Sequence, residues 1–418
     1  VDVRPRADVV EVQRELAAVP GVTVLVHDQA CATEQRRRRK RGTVAPAATR
    51  VWINERICEG CGDCGEKSNC LSVHPVDTAF GRKTRIHQSS CNVDASCLAG
   101  DCPSFVTVVP GRPVERDRAA DLADDAIPPP VDETVSGAAD FAMRITGIGG
   151  TGVVTVSQIL ATAAVLEGRH ARALDQTGAA QKGGAVVGDV RVTAEPVECS
   201  PKIPAGGADL YLVCDELVGA DPRNLVVASP QRTVAVVSST RTPTGSMVVD
   251  TGVTYPQADS VAAVLEPAMR RTLRLDPAGL SMQCFGSAQY ANLVLVGVAY
   301  QAGALPIGAA AIEQAIELNG VSVHANVQAF RRGRQSVADP DSLVSAIALA
   351  HKGVRVAGAR AGHGKRGGEP PAYRSEASLA ELVAHRSAEL VDYQDERYAG
   401  RYAAFVEQVR AAESAAVP

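Results

Sequence analysis

Residues Ile57–Cys70, ICEGCGDCGEKSNC, carry four cysteines, and Cys58, Cys61 and Cys64 follow each other at C-x2-C-x2-C spacing. Thiols two residues apart rarely reach the Cα separation of roughly 4.4–6.8 Å and the side-chain directions that a disulfide needs. The spacing therefore points to a metal or an iron–sulfur cluster. Further on, CNVDASC repeats the spacing with an aspartate in the middle, as Cys91, Asp94 and Cys97. Soft thiolate sets at this interval favour iron–sulfur chemistry over a zinc ribbon.

In two-cluster bacterial ferredoxins each C-x2-C-x2-C triplet takes its fourth ligand from the Cys-Pro that ends the other motif. Cys102-Pro103 is the only Cys-Pro in the chain. The first set is accordingly Cys58, Cys61, Cys64 and Cys102, suited to a 4Fe–4S cluster. The second is Cys70, Cys91, Asp94 and Cys97. There Asp94 either binds the fourth iron through an oxygen, or that iron is absent and the cluster is 3Fe–4S. The alternative for the second set is three packing thiols and a loop carboxylate.

A different chemistry is suggested by FAMRITGIGGTG, an apolar run entering a glycine-rich turn, followed by the helix-like VVTVSQILATAAVLEG. Gly147, Gly149 and Gly152 match G-x-G-x-x-G, and with Gly150 and Thr151 their backbone amides would cradle a phosphate at a helix N-terminus. Asp175 ends the next strand-like run, near where a ribose-binding acid sits in dinucleotide sites, so NAD is one candidate and a ligand-free tight turn is the other. The loop DQTGAAQKGG adds Gln181, Lys182 and Gly183, which either hold an anionic group or form a solvated surface loop.

The elements that position these groups are read from composition and periodicity. The chain has 418 residues, 45% hydrophobic with 4% aromatic, and a net charge of -4, which argues against general nucleic-acid affinity. No apolar run is long enough to span a bilayer and no signal-peptide layout is present, so a cytoplasmic protein with reduced thiols is expected. Seven of the eleven cysteines lie between Cys58 and Cys102; Cys31, Cys199, Cys214 and Cys284 read as buried apolar residues.

The first 45 residues read as the end of a preceding domain: helical VVEVQRELAAV, strand-like VTVLVHD and the basic run Arg36–Arg41, either a solvated loop or a docking surface. Residues 46–110 form the cysteine domain, and 111–138, with three consecutive prolines, an interdomain linker. Residues 139–335 alternate strands, among them LVVAS and TVAVVSS, with helices, and predict a doubly wound, Rossmann-like α/β domain. Residues 336–375 read as a second linker. From 376 to 418 a helical segment opens on a capping box at Ser378 and Glu381.

Together, VTVLVHDQACATEQRRRRKRG, both cysteine segments and GIGGTGVVTVSQILA…DQTGAAQKGGAVVGDVRV resemble the single-chain indolepyruvate ferredoxin oxidoreductases of the 2-oxoacid:ferredoxin oxidoreductase superfamily. The resemblance runs in family order over nearly the whole chain. It implies a bacterial-ferredoxin-like Fe–S domain followed by a gamma-type domain and a C-terminal helical region. It also implies oxidative decarboxylation of a 2-oxoacid on thiamine diphosphate and Mg, electrons passed through Fe–S clusters to ferredoxin, and the acyl group released on coenzyme A. In that setting the glycine turn need not bind NAD.

The Gly-Asp-Gly motif that holds magnesium and diphosphate in this family is not found, so thiamine diphosphate is expected on another portion or subunit, without which the chain is not expected to decarboxylate. The expected partners are ferredoxin, that thiamine-diphosphate-binding portion, and further copies in a homo-oligomer; no nucleic acid and no membrane is expected. Two other functions remain open at this point: an NAD(P)-linked Fe–S oxidoreductase, and a non-catalytic scaffold that docks subunits through the basic run and terminal helix.

Overall fold

The structure is a computed structural model that describes residues 2–78, 80–100, 102–111, 118–130, 139–178, 183–352 and 378–416. Helix α1 (Val9–Ala18) stops before Pro20-Gly21, as the turn chemistry predicts. Val22–Asp28, expected as a strand, is extended and exposed, and pairs with no strand among the described residues. Alternation alone does not make a strand when no sheet edge is within reach. The basic run lies in helix α2 (Ala32–Lys40) rather than in a loop, because Ala, Glu, Gln, Arg and Lys are all good helix formers. Arg36 donates to the carbonyl of Ser89, and Arg39 donates to that of Asn92 at 2.9 Å, so α2 is pinned on either side of Cys91.

Residues 46–110 form two antiparallel pairs, β1 (Arg50–Ile53) with β4 and β2 (Val73–Thr78) with β3. β3 spans Gly81–Ile86 and β4 spans Phe105–Val108; the short helix α3 is Asp63–Ser68. Their small core joins Val51, Ile53, Val73 and Ile86 to the thiols of Cys58 and Cys97, and it takes in Val248 from far along the chain.

The larger unit is a six-stranded sheet of β5 (Asp140–Ile148), β6 (His170–Thr177), β7 (Ala185–Thr193), β8 (Leu210–Val213), β9 (Val234–Ser238) and β10 (Arg271–Leu275). The order is β10-β9-β8-β5-β7-β6, with β5, β8, β9 and β10 mutually parallel and β7 antiparallel to both neighbours. The expectation of a Rossmann-like doubly wound sheet is corrected in one respect: the β6–β7 hairpin inserts β7 between β5 and β6. LVVAS is not a strand; its leucine closes the short helix Pro222–Leu225, and the sixth strand is instead Arg271–Leu275.

Helix α4 (Val153–Leu166) follows the glycine turn. Beyond β8 come α5 (Glu216–Ala220), α6 (Pro222–Leu225), α7 (Gly245–Val249), α8 (Ala258–Leu265), α9 (Pro277–Phe285), α10 (Ala291–Gln301), α11 (Ala309–Asn319) and α12 (Val323–Ala338). Period-two burial on both faces explains the apolar strands. Leu210, Leu212, Val234 and Val236 face the core with α4, α10 and α11, whereas Tyr211, Val213, Ala235 and Val237 pack with Val261 and Leu265 of α8.

Part of the segment expected as a free linker over 111–138 is docked. Ala119 and Ile127 are buried. The side-chain amide of Gln328 clamps residue 122, accepting from Leu122 N–H at 2.8 Å and donating to its carbonyl at 3.2 Å. Arg332 donates to the carbonyl of Ala120 and buried Arg334 pairs with Asp124. Polar partners on α12 thus replace solvent for this strap. The second expected linker opens with helical residues, since α12 reaches Ala338 and α13 spans Pro340–Lys352. The C-terminal segment has the capping box at Ser378 and Glu381 but forms two helices, α14 (Leu379–Tyr393) and α15 (Glu396–Ala416).

Candidate functional site

The two cysteine loops have the same backbone. At a constant interval of 33 residues Cys58 corresponds to Cys91, Cys61 to Asp94 and Cys64 to Cys97. The amide of Gly60 donates to Cys58 Sγ at 3.4 Å, and the amide of Val93 donates to Cys91 Sγ at 3.3 Å. Left-handed residues recur in register, Gly60 at φ 72° and Gly62 at 86°, then Val93 at 57° and Ala95 at 59°. Each loop then enters a helical turn whose second residue is the third cysteine position, Cys64 in α3 and Cys97 in the 3-10 turn Ser96–Ala99. Glycine adopts these angles freely, but for Val93 and Ala95 they cost roughly 1–2 kcal/mol each.

Within each loop the thiols are near enough to influence one another. Burial pushes the Cys97 thiol up to about 11, and the neighbouring Cys91, Cys70 and Asp94 add to the shift. The Cys64 thiol is raised first by burial, opposed by the Thr84 hydroxyl, with further increments from Cys58 and Cys61. Cys102 Sγ lies 3.0 Å from Ser104 Oγ, and Gly100, just before it, lies against Asp63 of α3. Among the described residues no three His, Cys, Asp or Glu side chains are arranged around a single metal ion. A mononuclear tetrahedral site needs such convergence. A four-iron cluster does not, because each cysteine binds a different iron.

The glycine turn is positioned by β5 and α4. Gly147 must lack a side chain, since a Cβ there would sit 2.6 Å from Val153 Cγ2 and 3.1 Å from Cys214 Cβ. Gly152 caps α4 at φ 98°, with no side-chain cap on that helix end. Thr151 Oγ1 donates to the carbonyl of Ile148 at 2.7 Å, while Asn292 donates to the carbonyl of Thr151 at 3.1 Å. Gly149 exchanges backbone hydrogen bonds with the returning loop, donating to Gly184 at 2.7 Å and accepting from Gly183 at 3.2 Å. Gly149 N–H is therefore already engaged. Gln181 and Lys182 lie outside the described residues. Asp175 is separated from β5 by the intervening β7, about two strand spacings or roughly 10 Å. Its carboxyl is instead beside Ser157 and Gly188, where burial raises its pKa.

The structure also brings the cysteine loops and the glycine turn together, which sequence reasoning missed. Leu71, next to Cys70, covers Gly183 so closely that a Cβ there would lie 2.0 Å from Leu71 Cδ1. Gly65 of α3 sits on the carbonyl of Val248 in α7, where a Cβ would come within 2.3 Å. Arg82 donates to the carbonyls of Thr251 at 2.7 Å and Val253 at 3.2 Å, just beyond α7. The only sequence signal for these contacts was a glycine inside a helix.

These features define a chain in which a cysteine-rich region is fixed to a mixed α/β domain. Residues 142–336 match the family described as "Pyruvate ferredoxin/flavodoxin oxidoreductase", and residues 379–418 match a "Family of unknown function (DUF6537)". The likeness to 2-oxoacid:ferredoxin oxidoreductases resides in the first of these regions, a little under half of the chain. It is similar to the indolepyruvate oxidoreductase subunit IorB of Archaeoglobus fulgidus, 26% identical over 196 residues that make up 45% of this chain and 91% of that one. The same-named subunit of Pyrococcus horikoshii is 25% identical over 198 residues, 46% of this chain and 94% of the relative.

Among solved structures, pyruvate oxidoreductase subunit PORC of Thermotoga maritima is 22% identical with a TM-score of 0.35, covering 47% of this chain and 96% of that one. The keto/oxoacid ferredoxin oxidoreductase gamma subunit of Geobacter sulfurreducens is 20% identical with a TM-score of 0.33, covering 47% and 99%. Neither family match includes residues 46–110. Among the described residues no helix is long and apolar enough to cross a membrane.

Proposed function

We propose that the chain is the electron-transfer and gamma-type portion of an indolepyruvate (aryl 2-oxoacid) ferredoxin oxidoreductase. The observation that carries this is the repeated cysteine loop, with a backbone N–H aimed at the first sulfur of each, locked onto the superfamily domain through Gly65, Arg82 and Leu71. Cys58, Cys61, Cys64 and Cys102 would hold a 4Fe–4S cluster, and Cys70, Cys91, Asp94 and Cys97 a second cluster of four or three irons. Bound clusters supply one-electron storage and transfer. Crowded thiols with raised pKa fit such a group, because a metal ion deprotonates the sulfurs and offsets their mutual repulsion.

The chain's own residues set the conditions for that chemistry. Gly60 and Val93 direct amide dipoles at ligand sulfurs, which tunes a cluster's potential. Leu71 and Val248 pack the cysteine region against the α/β domain. In the whole enzyme another portion or subunit would hold thiamine diphosphate and Mg, which would supply the decarboxylation of a 2-oxoacid. The acyl group would leave on coenzyme A, and ferredoxin would take up the electrons. Lys182 and the glycine turn are the candidate contacts for the anionic part of coenzyme A. Further copies of the chain in a homo-oligomer and a cytoplasmic location complete the proposal.

Anaerobic purification followed by iron analysis tests it. The wild-type chain is expected to be brown, with about four irons at the first site, and Cys61→Ser to lose them. A colourless, iron-free wild-type chain would favour a docking scaffold. Tight nicotinamide binding abolished by Gly149→Asp would favour an NAD(P)-linked enzyme.

A further inference from the structure

Asp94 occupies the place of Cys61 in a loop that keeps its cluster-type backbone without glycine. Val93 is β-branched, and a positive φ is a true outlier for such a residue. Strain of this kind persists where the surroundings over-determine it, and it clusters at functional sites. A loop whose cysteines merely filled a core would relax to ordinary angles, or would have glycine at these positions as the first loop does.

The carboxylate of Asp94 is also held. Its Oδ1 accepts from the backbone N–H of Ser96 at 3.3 Å and from Ser96 Oγ at 3.0 Å. The first-loop residue that corresponds to Ser96 is Asp63, which pairs with Lys67 at 3.0 Å instead. No hydrogen bond to Asp94 Oδ2 is made among the described residues. Asp94 and Cys61 are both exposed, so the middle position of each loop faces outward in the same way.

We infer that Asp94 is a monodentate oxygen ligand of a second cluster through Oδ2, and that Ser96 is the positioning residue that orients its carboxylate. This inference rests on the iron–sulfur function proposed above. Carboxylate ligands are commonly fixed by a hydrogen bond to the non-ligating oxygen, and loss of such a partner typically costs 10–100-fold in metal affinity. An oxygen ligand also holds iron less firmly than a thiolate. Under mild oxidation the 4Fe–4S cluster would give one electron to ferricyanide and release one Fe2+, passing from the 2+ state to a 3Fe–4S cluster in the 1+ state.

The experiment uses the anaerobically purified full chain, with iron analysis and electron paramagnetic resonance during titration with ferricyanide. Wild type is expected to carry iron for two clusters and to develop a three-iron signal. Asp94→Cys is expected to suppress that signal, and Ser96→Ala to produce it at about tenfold lower oxidant. A separate measurement on the iron-free protein reads the strain: Val93→Gly is expected to raise its melting midpoint by a few degrees. Wild type with iron for the first cluster alone, not increased by Asp94→Cys, would overturn the inference and leave the first site standing. Wild type without iron would instead defeat the function on which it rests. If Ser96→Ala titrates like wild type, the role of Ser96 is wrong.

Discussion

Arg144 and Asp189 meet through two parallel hydrogen bonds of 2.7 Å across adjacent strands β5 and β7, with side-chain exposures of 5% and 0%. Asp189 Oδ2 also accepts from the amide of Ile203 at 3.2 Å, and Arg144 donates to the carbonyl of Asn224 at 3.1 Å. The pair therefore fixes the hairpin strand that separates β5 from β6. Removing one partner leaves a buried charge uncompensated. Arg144→Met is expected to destabilise the chain by about 3–5 kcal/mol, read by denaturant unfolding. The double variant Arg144→Met, Asp189→Leu is expected to recover most of the loss, and a single variant as stable as wild type contradicts this account.

Arg82 ties the β2–β3 hairpin to the segment following α7, where carbonyl groups at a helix C-terminus favour a cation. Arg82→Ala is expected to cost about 1–3 kcal/mol of contact between the two regions. Hydrogen exchange should then rise in Gly245–Val249 and Asp63–Ser68 together, with the six-stranded sheet unchanged. Gly65→Ala, which drives a methyl group into the Val248 carbonyl, is expected to give the same paired response.

Asp215 supplies a pH dependence. Its side chain caps α5 by accepting from Leu217 at 3.1 Å and Val218 at 3.0 Å, yet burial raises its pKa above the usual carboxylate value, helped by adjacent Glu216. A carboxyl that binds its proton more tightly when folded favours the folded state at low pH. That contribution disappears as pH rises from the unfolded pKa, about 4, through the raised folded value. Asparagine caps equally well without the charge. Asp215→Asn is therefore expected to raise the melting midpoint near neutral pH and to lose that advantage below about pH 4. Equal differences at both pH values would contradict it.

The parts of this fold legible from residue order are those where local chemistry and tertiary burial agree. Val234–Ser238 is apolar on both faces and Phe141–Ile148 on the face of Phe141, Met143 and Ile145; both lie within the sheet, and Gly320 ends α11. β10 escaped notice because Arg271 and Arg274 interrupt its apolar pattern; Arg274 Nη2 is accommodated by Glu216 at 2.8 Å. Val22–Asp28 misled in the opposite direction, carrying a strand pattern with no strand beside it. The insertion of β7 could not be read, since strand adjacency depends on residues distant in sequence. At the site, cysteine spacing identified the two loops. Neither valine nor alanine advertises the left-handed conformation that Val93 and Ala95 adopt, and nothing near Leu71 announced its contact with Gly183.

The strap from Ala119 to Pro128 has a kinetic meaning. Gln328, Arg332 and Arg334 hold it against α12, and Gln301 donates to the Pro128 carbonyl at 2.8 Å. With Arg82 and Gly65 making a second attachment, the cysteine region is not a swinging arm that searches for its docking position. Under the proposed function, an electron leaving a cluster in the cysteine region would start from a fixed distance to the α/β domain, and no swing of that region would set its rate.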